Sequence, residues 1–218
     1  MFNTAQEFKS SMLAAISSRF FYEAKKASAE SNIEVSEENA KDVLKSHNSS
    51  MFDTLKAIED SAKHDVIANI MFLANCDAQR INRSERSNAR YNVYAYEKDI
   101  NIARSAASVE RLNHYTKAIL LTAKKFSEQE TELLLTHDDA QSACSLSVKS
   151  SDSKRERLIV KYQKHVSAKT ASTQSSSSIN ALQSFNVLIE TRDASNKVAY
   201  KLNKNNDLTQ RLLERCKD

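Results

Sequence analysis

The 218-residue chain contains no glycine and no proline. At average usage a chain of this length would carry roughly 15 glycines and 11 prolines. Glycine supplies the φ > 0 positions of tight hairpins and phosphate-cradling loops, and proline pre-sets turn geometry. Without either, β-sandwiches, barrels, dinucleotide-binding folds and P-loop folds lose the residues that their connections depend on. The α-helix loses nothing, because its interior disfavours both. Backbone reversals then fall to serine and asparagine, whose side chains bond nearby backbone and so start or stop helices.

The expected fold class is therefore all-α, with long amphipathic helices forming an elongated bundle or a coiled-coil-like assembly. Thr4 and Glu7 form a capping-box pair, and Phe8, Met12, Ile16 and Phe20 follow four apart, one stripe of a first helix. Breaks at Ser31-Asn32 and at His47 to Ser50 make residues 1–50 a helical hairpin. Beyond them Leu55, Ile58, Val66, Ile70 and Leu73 mark one apolar stripe, and Ile102, Val109, Leu112 and Ile119 a second. These nine positions are the candidate helix-packing seam of a central region, 51–149. An unbroken helix over 51–126 would span roughly 110 Å, so this region either folds back or belongs to an extended assembly. Residues 150–218 read as C-terminal helices after a serine-rich break, with low-complexity 172–178 as the expected linker.

Thirty-two basic against 28 acidic residues leave a net charge of +4, too mild by itself to imply a polyanionic partner. Its distribution is more telling. Arg80, Arg83, Arg86 and Arg90 fall within about 120° of arc at helical spacing, and Tyr91 and Tyr94 follow. Arginine forks grip phosphate and tyrosine stacks on bases, but both residues also populate protein interfaces. Asp77, Glu85 and Glu97 dilute the local field, which favours a protein contact here. A second basic block, Lys154, Arg155, Arg157, Lys161 and Lys164 with Lys169, is opposed only by Glu156. Acidic blocks at 30–42 and 128–139 alternate with it, as in packed helices whose register is set by charge.

No catalytic or cofactor motif is evident. Glu110 and His114 share a helix face but have no matching second pair for a di-metal centre. His137 precedes Cys144 by seven residues without a visible activating group. Cys76, Cys144 and Cys216 sit at apolar stripe positions, as small buried hydrophobes do. No apolar run reaches 18 residues and no signal peptide is apparent, so the expected location is the cytoplasm or a particle assembled there. Cofactor, metal and small-molecule substrate are all expected to be absent.

The function expected from these features is non-enzymatic: a structural or assembly subunit that packs through amphipathic helices against its own copies or other protein subunits. Richness in alanine, serine, asparagine and glutamine resembles the helical internal and scaffolding proteins of tailed-phage particles, which implies a virion component. The alternatives are a nucleic-acid-associated helical protein using the Arg80–Arg90 face and the Lys154–Lys169 block, or a helical adaptor or inhibitor of a host protein.

Overall fold

The computed structural model describes residues 2–31, 33–82 and 92–217, and helix accounts for 59% of those described residues. The chain divides into two compact units, Met1–Ala103 and Arg104–Asp218.

In the first unit α1 (Ala5–Ala27) is the central element and touches α2 (Ala40–His47), α3 (Ser49–Ala62) and α4 (Asp65–Leu73). Thr4 caps α1 by accepting from the Glu7 amide, and the Glu7 carboxylate accepts from the amide of Asn3 at 2.8 Å. The Phe8, Met12, Ile16 and Phe20 stripe is buried as its spacing predicts, and so are Leu55 and Ile58 of α3 and Ile67 and Met71 of α4, the helices α1 packs on. An ion pair also ties this interior together. Buried Arg19 bonds Glu23 one turn on at 2.8 Å and donates to the Ile81 carbonyl at 2.6 Å. That holds the short 3₁₀ turn Arg80–Asn82 on α1. Helix α5 (Val93–Ala106) follows, its Tyr96, Ile100, Ile102 and Ala103 buried.

The possibility of one unbroken helix over 51–126 is replaced by separate helices, for a local reason. Asn75 and Ser108 adopt φ of 58° and 60°, the left-handed conformation that ends a helix. After α4 the Cys76 amide bonds the Met71 carbonyl and the Asn75 amide bonds that of Phe72; after α5 Val109 and Ser108 reach back to Arg104 and Ser105. Both are Schellman closures, with asparagine and serine where glycine usually stands. The seam splits accordingly. Leu55, Ile58, Ile102, Leu112 and Ile119 are buried within their own units, Ile70 is half-buried, and Val66, Leu73 and Val109 are 60%, 72% and 60% exposed.

The second unit contains α6 (His114–Ser127), α7 (His137–Ala143), the single turn α8 (Ser153–Glu156), α9 (Ala168–Ser184), strands β1 (Leu188–Arg192) and β2 (Val198–Leu202), and α10 (Asp207–Arg215). The all-α expectation fails at 188–202. There β1 and β2 pair antiparallel, Leu188 opposite Leu202 and Arg192 opposite Val198. Leu135 adds a third, one-residue rung, exchanging both backbone bonds with Tyr200 at 2.8 Å. The hairpin turns without glycine: Asn196 takes φ of 61° and the Asp193 carboxylate accepts from the Ser195 and Lys197 amides. Residues 172–178, the expected linker, lie inside α9.

Candidate nucleic-acid interface

Chain order in the second unit is helix α6, the Leu135 rung, helix α7, the single turn α8, helix α9, the β1–β2 hairpin and helix α10, with α9 packed on α6, α7 and β1. Helix α9 is amphipathic in an unusual vocabulary. Ala171, Ser175, Ser178, Ile179 and Leu182 recur at helical spacing and are fully buried. The small serines allow close approach of helices, and Ser178 receives a hydrogen bond from Thr116 of α6 at 3.1 Å. On the opposite side Lys169, Thr170, Thr173, Ser176, Ser177 and Asn180 occupy about 120° of arc. They are exposed or half-exposed. Ser167 caps the start of the helix through the Thr170 amide. Asn186, at φ 55°, closes its end, with the Val187 amide bonded to the Leu182 carbonyl.

Between α7 and α9 the chain makes an excursion that is closed at its base. Leu146 donates to the Lys164 carbonyl at 3.0 Å, and the Ser145 hydroxyl bonds both the amide and the carbonyl of Val166. Farther out, the Val160 amide donates to Thr122 of α6 and the Tyr162 amide to the Ala143 carbonyl. Arg155 anchors α8: its guanidinium forks onto the buried Asp139 carboxylate, donates to the Leu134 carbonyl at 2.5 Å and lies over the Phe126 ring. The neighbouring Glu156 accepts from Ser142, the Ser150 amide and Lys161.

Four aspartates, at 138, 139, 152 and 193, line a cleft of about 430 Å³ beside the hairpin turn. Each has a local structural task. Asp139 completes the α7 capping box with Thr136 and holds Arg155. Burial would raise the pKa of Asp138, but the amide and hydroxyl of Ser151 and the hydroxyl of Ser150 hold it below the usual carboxylate range. Asp152 is lowered by the Arg155 and Lys154 amides at the start of α8, and Asp193 ties the hairpin turn.

The predicted basic residues divide in the fold. Arg80 sits 3.0 Å from the buried Asp99 carboxylate and is committed to the first unit's interior; Tyr94 is exposed. Arg83, Arg86, Arg90 and Tyr91 lie outside the described residues. In the second block Arg155 and Lys161 are consumed by Asp139 and Glu156, while Lys154, Arg157, Lys164 and Lys169 remain exposed. The sequence reading named Lys169 but missed the rest of the outward face of α9. The signal available was the buried Ala171, Ser175, Ser178, Ile179 and Leu182 periodicity, hidden because serine occupies two of its core positions.

The described residues offer little for other chemistry. Cys76, Cys144 and Cys216 are buried thiols outside any disulfide, and burial pushes those of Cys76 and Cys216 up, away from nucleophilic use. His137 pairs edge-on with Tyr200, whose hydroxyl is 2.9 Å from its Nε2. No group of three or more metal-ligating side chains is found among the described residues, and no described helix is long and apolar enough to cross a membrane. No family model matches the chain, and no significant match is found among curated proteins or solved structures.

Proposed function

We propose that the second unit is a duplex-DNA-binding module in which α9 presents the reading face. By fold-level analogy, a core helix, a strand rung, two helices packed on each other and a hairpin follow the order of a helix-turn-helix with a hairpin wing, with the excursion bearing α8 where a short turn would stand. The observation that carries the reading is the outward arc of α9. Threonine, serine and asparagine are poor helix formers, yet they occupy most of the exposed face of a helix whose other face is fully buried. Hydroxyl and amide groups with one lysine are the chemistry that reads base edges and phosphates. Charge agrees: residues 104–218 hold 19 lysines and arginines against 13 acids, a formal +6, whereas residues 1–103 hold 13 against 15, a formal −2. Duplex DNA is favoured over duplex RNA because a helix fits the B-form major groove and not the deep, narrow A-form one.

The test is enrichment of bound sequences from a random duplex DNA pool at near-physiological salt, using the full chain. Recovery of a preferred sequence is expected. Changing Thr173, Ser176 and Ser177 together to alanine should weaken binding to that sequence at least about tenfold. Absence of any duplex binding by the folded chain would overturn the reading.

A second reading concerns the first unit and rests on α4. Val66, Ile70 and Leu73 lie at i, i+4 and i+7 on the face opposite buried Ile67, Ala68 and Met71. An outward aliphatic stripe of this kind suits packing against a second copy or a partner helix. It is the feature that favours the assembly role anticipated from sequence. Light scattering at tens of micromolar should then show self-association or a stable complex, lost on changing Val66 and Leu73 to glutamate. A monomer with no copurifying partner would count against it.

A further inference from the structure

We infer that the excursion between α7 and α9 is a second DNA-contacting element, which grips the sugar-phosphate backbone beside the sequence read by α9. The inference rests on the α9 reading and adds a separate site to it. Residues 144–167 carry six cations, Lys149, Lys154, Arg155, Arg157, Lys161 and Lys164, against Asp152 and Glu156. The fold sorts these charges. Arg155 is neutralised by Asp139 and Lys161 by Glu156, and Asp152 is turned onto the amides of α8. Lys149, Lys154, Arg157 and Lys164 are left exposed. Glu156 is thus matched by Lys161, while Asp152 stays exposed and charged against four solvent-facing cations, which leaves a formal excess of +3 on one element once Arg155 is paired with Asp139.

That element is held in place. Its stem, from Leu146–Lys164 to Ser145–Val166, closes directly before the Ser167 cap of α9, and Arg155 fixes its outer turn to α7. Cations on a platform whose base adjoins the first turn of α9 and whose outer turn is fixed to α7 are suited to phosphates flanking the read site. Lysine and arginine in this setting supply affinity and register, without base preference.

The test compares full-length variants on a duplex of about 30 base pairs, three helical turns, bearing the sequence enriched by the chain. Changing Lys149, Lys154 and Arg157 to glutamine should flatten the dependence of log affinity on log salt by about 2–3 units, near 0.9 for each phosphate no longer neutralised. Unrelated duplexes should weaken in parallel, with sequence preference and melting temperature unchanged. The α9 triple variant should do the reverse, losing preference while keeping the slope. A control of equal charge loss, Lys125, Arg211 and Lys217 to glutamine, should leave the slope in place. An unchanged slope in the Lys149, Lys154 and Arg157 variant would overturn this inference and spare the α9 reading. An equal change in the control would overturn it too, by showing a general field effect. Failure of the unaltered chain to bind duplex DNA would overturn both.

Discussion

Counted from sequence, Arg155 is one of a row of cations; in the fold it is the residue that fastens α8 to α7. Its guanidinium forks onto a carboxylate that is fully buried, and the ring of Phe126 covers it. Removing one member of such a pair leaves a charge inside without its partner. Changing Arg155 to alanine should therefore cost about 3 kcal/mol in urea denaturation of the second unit. Arginine to lysine should recover only a part, because an ammonium cannot make the same fork. A loss below about 1 kcal/mol, the range of exposed ion pairs, would show that the contact is peripheral. This role is not legible from sequence, since the spacing between Asp139 and Arg155 follows from the path of an irregular excursion. The opposite holds for Asn75, Ser108, Asn186 and Asn196. In a chain without glycine, asparagine and serine must take the left-handed positions, and the four positive-φ residues among those described are three asparagines and one serine.

At the scale of elements, α1 is fully legible because large apolar residues at four-residue spacing leave one solution for the buried face. Helix α9 is not, because its core positions include Ser175 and Ser178 and its polar positions include more serine, so composition resembles a linker. The hairpin is masked for a related reason: its turn uses Asp193 and Asn196 in place of the usual Asn-Gly or Asp-Gly. A helix that keeps weak formers on its solvent face gives up stability there. Replacing Thr173, Ser176 and Ser177 by alanine should raise the stability of the second unit by about 1 kcal/mol through propensity alone. Calorimetry on the same variant that loses DNA affinity checks this, and a fall in melting temperature would mean that those hydroxyls serve the fold.

For the whole molecule, the two units divide the chemistry as well as the contacts. The unit bearing the outward aliphatic stripe of α4 has a slight acidic excess, and the unit bearing α9 carries the basic one. A chain that docks through one unit and meets DNA through the other is consistent with that division. The coarse class, mostly helix, was readable from the missing glycine and proline. The excursion was not, because no local periodicity marks a segment whose shape is set by distant partners such as Thr122 and Asp139.

The turns built without proline also carry a consequence in time. Unfolded chains that contain proline spread over cis and trans isomers, and refolding then waits about 10–100 s for the wrong ones to convert. This chain has no proline, so its unfolded population starts from an essentially all-trans backbone. Refolding should show no phase of that length, and its kinetics should not change with the time spent unfolded in a double-jump experiment. A prolyl isomerase should have no effect on the rate.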